Sequence, residues 1–285
     1  METESAALER GEWQRVSGKR RKTTLGKHGR RTVVAGRPLD FEPLGLPFRR
    51  RMGEMVDSRS DLDGHFGMRL ALYVAHALTS LDGQKMPEGE AEKLTLIRTL
   101  SVADVMGFGY LRLAHEDEGR FRINGGDPCP KCKGKLPKKM LVDLFDLPMV
   151  VFDEEPRVRY RLVRDWKFRD LKVETITVGY PTVATGFLKL TDEMFNRTSR
   201  RSMEWIAGSI VEINDTPMSL TLDELCSVSE GGRPLSDIDF EGLDEAVDEN
   251  IGGPAHAIRY DCPKCKSDLA LRLNWPTGFF GRSGG

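Results

Sequence analysis

The sequence predicts an α+β protein, in which helical segments are joined to a small antiparallel β unit made by two Cys-x-x-Cys hairpins. Three observations point there: apolar residues recur at three and four over some segments, they alternate over others, and the pentapeptide Cys-Pro-Lys-Cys-Lys occurs twice, at 129–133 and 262–266. Of the 285 residues, 39% are hydrophobic and 31% charged, leaner in apolar residues than an average globular domain, so part of the chain is expected to stay unpacked. No apolar run approaches the roughly 18 residues of a membrane-spanning helix. The opening METESAALERGEW lacks the basic, apolar and small-residue regions of a signal peptide. A cytosolic chain with no membrane span is expected.

The net charge of -1 conceals an asymmetry. Residues 1–51 hold 13 Lys or Arg against 6 Asp or Glu, so +7, and the remainder carries 30 basic against 38 acidic residues, so -8. The run from Lys19 to Arg31 has one leucine and no aromatic residue, too little apolar surface to offset the entropy of ordering. It reads as disordered, either a solvated tail or an electrostatic contact with nucleic acid or an acidic partner. Residues 38–65 mix Pro, Gly and charge like a surface linker. The expected organisation is therefore a basic, largely disordered arm and linker over 1–65, then one α+β domain over 66–285. Within the arm, Phe41, Leu44, Leu46 and Phe48 are the residues best suited to dock.

The elements follow in order. Leu70, Tyr73, Val74, Ala77, Leu78 and Leu81 share one helical face over Phe66–Leu81, with His76 off it. Glu88–Leu100 forms a second helix, and Ser101 with Asp104 resembles a capping box opening a third through Leu113. FRINGG, Arg157–Arg164 and Leu171–Val178 alternate as strands. A helical block over 182–250 follows, with Met203, Ile206, Ala207 and Ile210 on one face, a capping box of Thr221 and Glu224, and Ser236 capping an acidic helix to Glu249 that Gly252, Gly253 and Pro254 stop. His256–Tyr260 and Leu269–Leu273 return to strand alternation.

Four of the five cysteines lie in the repeated pentapeptide. Two thiols separated by two residues can turn back onto one metal ion, and two such knuckles supply four tetrahedral sulfur ligands. Strand-like sequence flanks each knuckle, which places each at a hairpin tip and predicts a zinc-ribbon-like unit of residues 119–145 with 255–280. Cys129, Cys132, Cys262 and Cys265 are the expected ligands of one structural zinc per chain, and the adjacent lysines offset the charge of the thiolates. Pairing between subunits, redox thiols and an empty site are the competing readings. Cys226 stands alone on an apolar helical face and reads as a small buried hydrophobe.

Other constellations carry less. Asp237, Asp239, Glu241, Gly242 and Asp248 approach a calcium loop, but its twelfth position is Asp and its eighth is Asp244 where a hydrophobe should pack. Gly107-Phe108-Gly109 follows no strand and lacks the third glycine of a phosphate loop, so it reads as a helix irregularity. His28, His65, His76, His115 and His256 fall in five separate segments without i, i+4 pairing. No catalytic set is legible, and a non-enzymatic protein is expected.

The chain runs in order through LTLIRTLSVADVMGFGYLRLAHEDEGRFRI, then CPKC, a strand pair, a helical block with an acidic L-S-x-x-D-x-x-x-L element, and a terminal GP…CPKC…LRLNWPTGFF. This order of features resembles the baseplate proteins of T-even-type contractile-tail phages. The resemblance covers about residues 90–280. Its most specific parts are the two cysteine pairs, Asp104 with Arg112, Gly253-Pro254 and Phe279-Phe280, while the basic front departs from it. It implies a hub-associated protein or assembly chaperone, binding other tail or baseplate hub proteins in the host cytoplasm during assembly and carried in the virion tail if retained. The alternative is a zinc-ribbon nucleic-acid-binding protein using the basic arm, against which the acidity of residues beyond 51 counts.

Overall fold

A computed structural model describes residues 11–24, 38–43, 45–116, 120–124, 128–136, 139–193, 198–226, 235–255 and 257–272. In chain order the elements are β1 (Trp13–Ser17), β2 (Arg20–Thr24), β3 (Leu39–Phe41), α1 (Leu46–Asp57), α2 (Phe66–Ala77), β4 (Leu78–Leu81), β5 (Gln84–Lys85), α3 (Glu90–Ile97), α4 (Val102–Glu116), β6 (Arg120–Asn124), β7 (Lys139–Asp143), β8 (Pro148–Phe152), β9 (Arg157–Phe168), β10 (Leu171–Val178), α5 (Thr198–Ser209), β11 (Ile210–Ile213), β12 (Thr216–Pro217), α6 (Leu222–Cys226), α7 (Asp237–Ile251), β13 (Gly253–Pro254), β14 (Ala257–Asp261) and β15 (Asp268–Arg272). A single π-helical turn, Val183–Phe187, lies between β10 and α5. The α+β class read from the sequence is the class found.

The largest sheet is antiparallel with order β1-β9-β10-β11-β12. Val158, Tyr160 and Leu162 of β9 are buried on one face and meet Ile206, Ala207, Leu243, Ala246 and Val247 of α5 and α7. Two-residue left-handed turns close β9–β10 at Arg169-Asp170 and β11–β12 at Asn214-Asp215, the backbone whose twist suits a hairpin. Near its far end β9 bulges, since Arg161 pairs with Thr175 but Trp166 with Val173. The buried Asp239 carboxylate accepts from the Val163 and Arg164 N–H groups of that bulge, at 2.5 and 3.2 Å, and from Tyr160 Oη.

A second core joins α1, α2, β4, α3, α4 and the π-turn through Phe48, Leu70, Tyr73, Val74, Ile97, Val105, Phe108 and Phe187. Ser101 and Asp104 cap α4 reciprocally, at 2.9 and 3.0 Å. Gly67 lets α2 reach the π-turn, because a Cβ there would stand 1.5 Å from the Phe187 carbonyl oxygen. Arg112 of α4 is buried, donates to the Glu42 and Pro43 carbonyls at 2.8 and 3.2 Å, and stacks on Phe48 with its guanidinium carbon 3.8 Å from the ring centroid.

Several expectations are corrected. Among the described residues of 1–65, several are packed rather than loose: β1 completes an edge of the large sheet, β2 pairs with β8, and Phe48 is 1% exposed. An edge strand gains order from a neighbour's backbone groups, so it needs no apolar face of its own. Of the four residues suited to dock, Phe48 is core, Phe41 packs against it, Leu46 is 79% exposed, and Leu44 lies outside the described residues, as do residues 25–31 of the basic run. The helix expected over Phe66–Leu81 ends at Ala77; Leu78 turns extended and starts β4, which pairs with β3. Gly107-Phe108-Gly109 is uninterrupted helix, and the 182–250 block contains the β11–β12 hairpin.

Phe48→Ala should destabilise the protein by about 3–5 kcal/mol, the usual cost of emptying a fully buried aromatic site. Urea titration measures it, and a loss under about 1 kcal/mol would return α1 to the status of a loosely docked linker.

Candidate metal centre

Each cysteine pair sits in a hairpin. The first lies between β6 and β7, whose register runs from Arg120 opposite Asp143 to Asn124 opposite Lys139, and the second lies between β14 and β15. The repeated pentapeptide folds twice into one backbone shape. Lys133 N–H donates to the Cys129 carbonyl at 2.8 Å and Lys266 N–H to the Cys262 carbonyl at 2.9 Å, with φ of 56° at both lysines. Cys129 N–H then donates to the Gly134 carbonyl, and Cys262 N–H to that of Ser267, each at 2.9 Å.

The hairpins meet because their roots are tied. β8 follows β7 closely, β13 precedes β14, and β13 pairs with β8 through Gly253 opposite Val150 and Pro254 opposite Met149. Ala255 N–H adds a bond to the Pro148 carbonyl at 2.7 Å. Gly253 has φ +87°, and a Cβ there would come within 3.2 Å of Ala103 on α4, so the residue before Pro254 must be glycine. The other edge of β8 is covered by β2.

All four sulfurs, of Cys129, Cys132, Cys262 and Cys265, lie within 4.8 Å of one another. Cys129 to Cys265 is 3.7 Å and Cys132 to Cys262 is 3.8 Å, too long for disulfides. They match the edge of about 3.8 Å in a tetrahedron whose centre lies about 2.3 Å from each sulfur. This is a site for one metal ion within one chain. The intrachain arrangement read from the sequence is the one formed, and the intersubunit alternative is not needed to assemble four ligands.

The surroundings favour thiolates unevenly. The Cys132 N–H and then the Ser267 hydroxyl pull the Cys129 thiol down to about 6. Ser267 also lowers Cys265, whose sulfur is 3.0 Å from the hydroxyl. At Cys132 the Gly134 N–H favours the thiolate, but desolvation and the three other sulfurs outweigh it and push the thiol up to about 11. Without a cation the cluster cannot hold four negative charges; a metal ion removes that conflict. Ser267 had no signal in the sequence beyond its place after the second pentapeptide, where the first has Gly134. A Cβ at Gly134 would stand 3.0 Å from Lys264 Cδ and 3.2 Å from Cys132 Sγ.

Among the described residues, Leu136, Leu269 and Tyr260 pack with the four cysteines, all from the two hairpins. A metal ion bound by all four sulfurs would cross-link one hairpin to the other.

The remaining residues of interest go elsewhere. Asp239 is committed to protein N–H and hydroxyl donors, which leaves the rejected calcium reading without its central ligand. Cys226 is exposed rather than buried, because α6 ends on it and turns Leu225 inward instead. His76 faces Glu90 at 3.5 Å, and burial lowers its affinity for a proton. His115 lies edge-on to Phe41 and Phe145. His28, His256, Trp275, Phe279 and Phe280 fall outside the described residues. Among the described residues the four cysteines form the one cluster of His, Cys, Asp or Glu side chains with metal-binding geometry. No helix of the described residues is long and apolar enough to cross a membrane. Comparison with protein families, curated proteins and solved structures found no match.

Native protein should contain one metal ion per chain by elemental analysis. Chelation, or Cys262→Ser, should strip amide protection from residues 128–136 and 259–269 in hydrogen exchange while α2 and α4 keep theirs. Equal protection with and without metal would show that the hairpins stand by their own packing.

Proposed function

We propose that this chain is a non-enzymatic assembly protein of a contractile phage or prophage tail, acting through protein–protein contacts while the hub or baseplate is built. Its metal on this reading is a structural zinc. The observation that carries the proposal is the closed four-sulfur centre that joins the middle of the chain to its end: all ligands are cysteine, so no coordination position stays open for water or substrate. Such a centre suits the holding of a binding surface rather than catalysis. All-thiolate tetrahedral donors suit zinc, which has no redox chemistry and no geometric preference to violate.

The order of features that resembles baseplate proteins acquires physical roles here. Asp104 caps α4, Arg112 locks the approach to α1, and Gly253-Pro254 ties the two hairpin roots. Other tail or hub proteins are the partners on this reading, met in the host cytoplasm. The nucleic-acid alternative is weaker, since Arg20 of the basic front is held by Glu249 at 2.7 Å and the residues beyond 51 are net acidic.

Deleting the gene from its phage should leave particles without assembled tails. Complementation with the wild-type chain should restore them, and Cys262→Ser should not. Normal tails in the deletion would overturn the assembly role, and salt-sensitive DNA binding that survives removal of residues 1–51 would replace it with the alternative.

A further inference from the structure

The two knuckles carry more than cysteines. Lys131, Lys133, Lys135, Lys264 and Lys266 are exposed around the metal centre, and among the described residues none has a carboxylate partner. The nearby Asp268 is engaged by Arg259 at 3.1 Å. The lysines are arranged in pairs, because Lys131 and Lys133 of one knuckle occupy the positions of Lys264 and Lys266 in the other. A bound metal would fix this crown, since it would fix the knuckles.

Helix α7 presents the opposite charge. Its buried residues Asp239, Leu243, Ala246, Val247 and Asn250 define the inner face. Asp237, Glu241, Asp244, Glu245 and Asp248 fall within an arc of about 100° on the opposite side, running about 16 Å along the axis. Asp237, Glu241 and Glu245 have no basic partner among the described residues. Ile238, 52% exposed, borders the arc. With a net charge of -1, two copies feel little overall repulsion, and local complementarity decides whether they meet.

We propose that the knuckle lysines of one copy dock on the outer face of α7 of a second copy. The contact is head-to-tail, so each bound copy still offers one free crown and one free helix face, and association continues into a chain or closes into a ring. It rests on the charges alone and is independent of the phage reading.

The test uses the full chain with its metal. In sedimentation at about 10 mM salt, where screening extends over about 30 Å, the average mass should rise with concentration above the 32.0 kDa monomer. At about 1 M salt, with screening over about 3 Å, it should return to the monomer. Lys131→Glu with Lys264→Glu should be monomeric at low salt, and so should Glu241→Lys with Glu245→Lys. Mixing the two variants should restore association, because each then offers the charge the other lacks. If the reversed knuckle loses its metal, Lys131→Gln with Lys264→Gln takes its place and should raise the dissociation constant at least tenfold. A wild-type monomer at low salt would overturn the proposal. So would association that either reversal leaves intact, or a mixture that stays monomeric.

Discussion

Four thiolates cannot share a volume a few ångströms across unless a cation shares it with them, and the geometry of both hairpins follows from that constraint. The Cys129 site is tuned toward the charged form and Cys132 away from it, which is how such a cluster behaves when no cation balances it. A metal ion reverses the sign of the problem. Among the described residues Leu136, Leu269 and Tyr260 are the apolar side chains packed with the sulfurs, and a bound ion would couple the folding of the two hairpins.

The rest of the chain exists in part to bring the hairpins together. β7 runs by a short turn into β8, β13 runs into β14, and the pairing of β8 with β13 sets the two roots side by side. That small sheet is bounded by β2 on one edge and rests on α4 through Ala103, Tyr110 and Leu111, which share a cluster with Met149 and Val151. Arg112, on the same helix, grips the segment before α1. A basic front that looks dispensable by composition thus supports the frame of a metal site more than 100 residues away.

The centre itself was the most legible part of the sequence, because a repeated pentapeptide fixes both ligand identity and local backbone. The capping boxes at Ser101 and Thr221 were equally plain, for each depends on residues three apart. What stayed hidden depends on partners far along the chain. Arg20–Thr24 shows no strand alternation and is a strand because β8 offers its edge. Leu78–Leu81 continues a helical pattern but leaves the helix to pair with β3. Arg169-Asp170 closes a hairpin without the glycine or asparagine that would have announced it. Cys226 was misplaced because periodicity gives a face of a helix but not where the helix ends.

The most direct measurement is X-ray absorption at the zinc edge on native protein, with the chain monomeric. Four sulfur neighbours at about 2.3 Å and no nitrogen or oxygen in the shell is the result expected for the intrachain centre. Fewer than four sulfurs, or a light-atom ligand among them, would contradict a closed site and reopen the question of what the coordination position is for.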